Sequence, residues 1–337
     1  MRTSLCSLLV LGIAAGSLAA DEPILTGPAV AELGGDPPPA PRGYPNTTAC
    51  IAAIQLGLVK LVDRESPLPD SIELRSDVEY GKVGERSLKL DLYSPKERTR
   101  KLPCLMFIHG GGWKGGKKED YRVYTQVFAT KGYVVASVGY RLSGEAKFPA
   151  AVNDVKCAVR YLRKNATELG IDADRIGVVG GSAGGHLAMM VGYSSDVPEL
   201  EGDGGHAGVS SHVKAVVNIY GPTNLNDDFV RNNEGANKLV ESFLGKPVAE
   251  SGDLLDQASP GHYLDPQDPP TLILHGTIDD IVPVDQSDQL ANKLAELKIP
   301  FAYDRIPGWP HTMDLAKDIN VRSTWLMERF FARYLQK

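Results

Sequence analysis

A net charge of −6, from 36 Lys and Arg against 42 Asp and Glu in 337 residues, leaves no basic surplus and argues against nucleic acid or an anionic membrane as a partner. With 42% hydrophobic and 23% charged residues, the composition is that of an ordinary globular protein, long enough for one large domain or two small ones. The four cysteines, Cys6, Cys50, Cys104 and Cys157, are too sparse for a disulfide scaffold and lack metal-site spacing.

The chain opens with Arg2, an apolar run over 5–15 and the small-residue stretch Ser17-Leu18-Ala19, the pattern of a secretory signal peptide covering residues 1–19. The run falls short of the roughly 20 residues a helix needs to cross a bilayer. A secreted or periplasmic protein is therefore expected, with no membrane anchor after cleavage. Residues 20–70 read as a separate extension. Its first part is rich in Pro, Gly and Ala around Asp36-Pro37-Pro38-Pro39 and predicts an extended strap. Ile51, Ile54, Leu58 and Leu61 then recur at helical spacing and predict one amphipathic helix over 48–62. Without Cys6 an odd number of thiols remains, so at least one is unpaired within the chain; Cys104 and Cys157 fit buried positions in a strand and a helix.

Residues 71–337 read as one catalytic domain. Strands are expected at 76–80, 87–93, 104–108, 133–138, 175–179, 213–219, 271–274 and 301–304, the first two as an antiparallel pair. Helices are expected at 119–130, 149–165, 183–193, 285–298 and 314–334. This alternation predicts an α/β fold with a mostly parallel eight-stranded sheet and helices on both faces. Residues 221–268 break the alternation with a polar, Asn- and Pro-rich stretch, a candidate lid or binding insertion.

Three motifs follow predicted strands. Gly180-Gly181-Ser182-Ala183-Gly184 lies between a strand and a helix, where a nucleophile on a sharp turn needs small neighbours. The helix start favours negative charge developing beside the Ser182 hydroxyl. His109-Gly110-Gly111-Gly112-Trp113 follows an apolar strand. Its backbone can approach a tetrahedral oxyanion closely, so the N–H groups of Gly111, Gly112 and Ala183 are the candidate donors. Trp113 either lines the substrate pocket or caps the core, whereas His109 is expected to pin the loop.

The third motif supplies acid and base. Asp279 sits in His275-Gly276-Thr277-Ile278-Asp279, and His311 in Gly308-Trp309-Pro310-His311. A serine hydroxyl becomes nucleophilic when an imidazole takes its proton and a carboxylate holds that imidazole in the right tautomer. The order Ser182, Asp279, His311 is the one an α/β-hydrolase produces. Asp280 is a rival acid expected to face solvent. His186, His206, His212 and His275 are expected in packing or surface roles.

From about residue 77 onward these features resemble the α/β-hydrolase superfamily. The HGGGW and GGSAGG motifs are similar to those of hormone-sensitive-lipase-like esterases. Together with Gly139-Tyr140-Arg141-Leu142, Phe148-Pro149-Ala150 and Asp172-Ala173-Asp174-Arg175-Ile176, they are more similar to those of the bifunctional feruloyl and acetylxylan esterases. The resemblance implies a serine carboxylic-ester hydrolase without a cofactor, acting on small-molecule or polysaccharide-linked esters of short or aromatic acids. An arylformamidase or a serine peptidase on the same fold is the alternative, and a non-catalytic binding module is disfavoured because all three triad members are present. The extension departs from the family pattern, so neither substrate access nor oligomeric state follows from the resemblance.

Overall fold

The computed structural model describes residues 24–195 and 197–336. The predicted signal peptide lies outside the described residues. Nine strands form one sheet among the described residues: β1 (Ile24–Thr26), β2 (Ile72–Val83), β3 (Arg86–Pro95), β4 (Leu102–Ile108), β5 (Val134–Val138), β6 (Ile171–Gly181), β7 (Ala215–Ile219), β8 (Thr271–Gly276) and β9 (Phe301–Ile306). Their order is β1-β9-β8-β7-β6-β4-β5-β3-β2. The run from β5 through β4, β6, β7 and β8 to β9 is parallel. Only β1, β2 and β3 pair antiparallel.

Seven helices of nine residues or more are described: α1 (Thr47–Gln55), α2 (Arg122–Thr130), α3 (Ala150–Lys164), α4 (Ala183–Tyr193), α5 (Glu234–Leu244), α6 (Asp285–Glu296) and α7 (Lys317–Leu335). The central strands β4, β5, β7 and β8 are buried at every position, because helices cover both faces of the sheet. Alternation along β4 sorts its side chains. Cys104, Met106 and Ile108 join Val155 of α3, Leu187 and Met190 of α4 and Leu294 of α6 on one face. Leu105 and Phe107 meet Phe128 of α2 and Phe330 and Phe331 of α7 on the other. Each such side chain withdrawn from water contributes about 1.5–3 kcal/mol, which holds the carboxyl edge of the sheet rigid. Cys50, Cys104 and Cys157 are free thiols, all buried.

Two expectations change. The sheet gains a ninth strand, because the extension itself supplies β1, whose three residues are too few to show a period of two. The helix expected over 48–62 stops at Gln55. Gly57 N–H and Leu58 N–H close its last turn on Ile54 and Ala53, and the chain then runs extended so that Leu61 bridges Ala316. Asn46 starts the same helix by accepting a 2.9 Å hydrogen bond from Ala49 N–H. The 221–268 insertion, a candidate lid from its sequence, holds α5 and short helices at Asp228–Asn232 and Asp253–Gln257. Val240, Phe243 and Leu244 of α5 are buried in the core, so the insertion is packed down on the domain.

Candidate active site

Ser182 joins β6 to α4 with φ 57° and ψ −126°, a backbone conformation that costs on the order of 1–3 kcal/mol for a residue with a side chain. The turn survives because Gly180, Gly181 and Gly184 around it have no side chains: a Cβ on Gly184 would lie 2.0 Å from Ile108 O. The strand end and helix start thus hold the Ser182 hydroxyl above the carboxyl edge of the sheet.

His311 and Asp279 reach it from the loops after β9 and β8. Ser182 Oγ lies 2.9 Å from His311 Nε2, and His311 Nδ1 lies 2.6 Å from Asp279 Oδ2. Since the carboxylate accepts from Nδ1–H, Nε2 is left free to accept the serine proton. Asp279 Oδ1 accepts from Ile281 N–H at 2.9 Å and Val282 N–H at 2.8 Å, while His275 Nε2 approaches Oδ2 at 3.1 Å. Burial alone would raise the Asp279 pKa, but the hydrogen bonds from His275 and His311 outweigh it and hold the carboxyl far below the usual carboxylate range. The three residues singled out in the sequence are therefore hydrogen-bonded in series. The rival Asp280 is exposed, as expected.

The glycine loop is pinned as its sequence suggested. Tyr140 Oη donates to His109 O at 2.9 Å, and the two rings stack at 4.4 Å. Burial pushes the His109 pKa down, keeping that imidazole neutral as a strut. Gly111 and Gly112 line a cavity beside Ser182, and Gly112 and Ala183 line a second one. The Trp113 ring stacks on that of Phe243 at 4.5 Å in the core, and Trp113 also borders the second cavity. Its Nε1–H donates to His186 Nδ1 at 3.3 Å, and His186 Nε2–H donates to Ala258 O at 2.7 Å. His186 thereby ties together the glycine loop, the helix after the nucleophile and the insertion.

The two cavities differ. One, of about 390 Å³, is bordered by Ser182, His311, Tyr121, Tyr124 and Tyr220 and, from the extension, Val62 and Arg64. Arg64 forms a 2.6 Å ion pair with Asp120, which borders the same space. The other, of about 50 Å³, is bordered by Ser182, Ala183, Phe229, Val230, Leu239 and Val240. Leu239 and Ile281 face both.

Several supporting residues were not legible as such. Tyr220 packs its ring 4.6 Å from that of His311 and donates its hydroxyl to the buried Asp314. Asp314 follows His311 by only three residues, but nothing in its local sequence marks it as a partner for Tyr220. The extension is also built into the site. Tyr44 N–H donates to Gly308 O at 2.7 Å, Trp309 Nε1–H to Pro41 O at 3.2 Å and Thr47 Oγ1 to Ile278 O at 3.3 Å. The strap thus braces both the loop that carries His311 and the loop that carries Asp279.

Known proteins share this arrangement of sequence and fold. A family model described as BD-FAE matches residues 90–294. Esterase LipQ of Mycobacterium tuberculosis is 29% identical over 289 residues, which are 83% of this chain and 66% of that protein. Esterase LipC of the same organism is 31% identical over 67% of this chain and 57% of its own length. The chain thus spans less than two thirds of either curated relative. Among solved structures, a bifunctional GH43-CE protein of Bacteroides eggerthii aligns with a TM-score of 0.69 and 31% identity, over 77% of this chain and 38% of that one. Est2, a thermophilic esterase of the planctomycete Thermogutta terrifontis, aligns with a TM-score of 0.66 and 26% identity over 82% and 96%.

Proposed function

Because the chain belongs to the BD-FAE family, we propose that it is a serine carboxylic-ester hydrolase working through an acyl-enzyme on Ser182. The observation that carries this reading is the unbroken series Ser182 Oγ, His311 Nε2, His311 Nδ1 and Asp279 Oδ2, with contacts of 2.9 and 2.6 Å.

In the proposed reaction Ser182 Oγ attacks the ester carbonyl carbon while its proton passes to His311 Nε2. The negative charge moves to the carbonyl oxygen, which the N–H groups of Gly111, Gly112 and Ala183 stabilise; one such donor is worth about 2.7–4 kcal/mol. Asp279 stabilises the imidazolium. As the C–O bond to the alcohol breaks, His311 returns the proton to the departing oxygen. A water molecule then gives its proton to His311 and its oxygen to the acyl carbon, releasing the acid and restoring Ser182.

The substrate reading is narrower: a short-chain or aromatic acyl ester, such as an acetyl or feruloyl group on a plant polysaccharide. Likeness to a structure titled as bifunctional GH43-CE supports it, as does a cavity bordered by three tyrosines and the Arg64–Asp120 pair, groups suited to a hydroxyl-rich alcohol. The apolar stretch at 5–15 behind Arg2 supports export. Wild type and Ser182→Ala compared on p-nitrophenyl acetate, methyl ferulate and acetylated xylan test both levels. The substitution is expected to lower kcat by about 10⁴-fold or more. Near wild-type turnover in the variant removes the serine mechanism, and activity on none of the sugar-linked or feruloyl esters removes the narrower substrate class.

A further inference from the structure

Resting on the serine-ester reading above, we infer that the smaller cavity beside Ala183 is the acyl pocket and that Leu239 sets the length of acyl chain it accepts. The assignment follows from where the proton must go. The group that protonates a departing alcohol has to reach its oxygen, so the alcohol leaves on the side of Ser182 that His311 faces. His311 borders the 390 Å³ cavity and is not among the residues bordering the 50 Å³ one. The acyl chain, on the opposite side of the same carbonyl carbon, is directed into the smaller space. There Gly112 and Ala183, two of the proposed oxyanion donors, form its near wall.

The chemistry of that space fits hydrocarbon. Phe229, Val230, Leu239 and Val240 of the insertion form its far wall. Gln286 also borders it, but its amide is already engaged: Oε1 accepts from Thr223 N–H at 2.9 Å and Asn224 N–H at 2.8 Å, and Nε2 donates to Asn224 O at 3.1 Å. These bonds use both lone pairs of Oε1 and one of the two Nε2 hydrogens, so little of Gln286 is left to solvate a charged or hydroxylated acyl chain. A cavity of about 50 Å³ accommodates only a few water-sized groups, hence acyl chains of about two to four carbons, which selects the short-chain over the feruloyl arm of the reading above.

Leu239 and Ile281 stand between the two spaces, and of the two Leu239 also covers the glycine loop. Leu239 Cδ2 packs so closely over that loop that a Cβ on Gly112 would lie 2.8 Å from it. Truncation at this position joins the small cavity to the large one and leaves the catalytic side chains untouched. Extra carbons in a widened apolar pocket change specificity by about 10–200-fold each.

The test uses p-nitrophenyl acetate, butyrate, hexanoate and octanoate, which share one alcohol and differ only in the acyl chain. Wild type is expected to accept acetate and butyrate and to fall off steeply by hexanoate. In Leu239→Ala the hexanoate-to-acetate ratio of kcat/KM should rise at least about tenfold. Phe229→Ala, which enlarges the far wall, is expected to shift the same ratio in the same direction and serves if the first variant does not fold. Methyl, ethyl and benzyl acetates, which vary the alcohol instead, should respond little to Phe229→Ala, whose ring borders the smaller cavity and not the larger one. If wild type is labelled by a fluorophosphonate and hydrolyses the series, but neither variant changes the chain-length profile, the acyl-pocket assignment is wrong and the serine-ester reading stands. If wild type neither reacts with the label nor hydrolyses any of these esters, both fall together.

Discussion

His275 and His311 converge on one oxygen, Oδ2 of Asp279, at 3.1 and 2.6 Å. His275 Nε2 also lies 2.9 Å from Val282 O, which can only accept, so Nε2 carries the hydrogen and donates to both oxygens. Ser287 Oγ holds the other ring nitrogen at 2.7 Å. The acid residue is therefore gripped from the strand end behind it as well as by the imidazole it orients.

His275→Phe removes that grip. A hydrogen bond to a charged acceptor is worth about 1.5–3 kcal/mol, so kcat is expected to fall about 10–150-fold with little change in KM. Asp279 must be ionised to work, and losing a donor raises its depressed pKa toward the ordinary range. The acid limb of the pH–rate profile should therefore move to higher pH. His275→Gln, which keeps a donor, should recover part of both effects. An unchanged profile in the folded Phe variant would show that His275 only fills space.

His186 gives a stability prediction with a definite sign. Burial pushes its pKa down to about 4, against 6.5 when exposed, with the hydrogen bond to Ala258 only partly opposing this. The unfolded chain binds a proton that the folded one refuses, so stability is lost as pH falls from about 6.5 toward 4. The loss from this one group is on the order of 3 kcal/mol at the low end. Thermal unfolding from pH 7.5 to 4 should show this decline, and His186→Gln should flatten it. Parallel curves for the two proteins would contradict the assignment.

The extension should matter to catalysis through the loops it braces. Gly43 lies against the loop that leads to His311, and a Cβ there would meet Pro307 O at 2.1 Å. Gly43→Ala is expected to push the strap off this loop, costing about 1–3 kcal/mol of stability. It should also lower kcat in the fraction that stays folded. Differential scanning calorimetry and steady-state kinetics on the same sample check both parts; wild-type values in each would mean that the strap is passive.

What could be read ahead of the coordinates divides along a physical line. Strands such as Leu102–Ile108 announce themselves because burial on both faces demands an unbroken apolar run. Ser182, Gly111 and Gly112 are legible because backbone geometry at an elbow and a glycine loop restricts which residues fit. Asp279 and His311 follow from chain order once the elbow is found. His275, Tyr220 and Asp314 were obscure because their roles depend on contacts between loops distant in sequence, such as the Tyr220–Asp314 hydrogen bond across 94 positions. The strand Ile24–Thr26 is set by the edge of β9 that it joins, with Ala29 N–H also donating to Phe301 O at 3.0 Å. Three residues contain no period of their own.

The most direct measurement is covalent. A fluorophosphonate reacts with a serine only when a neighbouring base has activated its hydroxyl. Incubation of the purified chain with the probe, followed by digestion and mass spectrometry, should give one stoichiometric adduct on the peptide carrying Ser182. The adduct should be absent in Ser182→Ala and formed far more slowly in His311→Asn. An unlabelled wild-type protein, or an adduct on a different serine that persists in the alanine variant, would contradict the assignment of Ser182 as nucleophile.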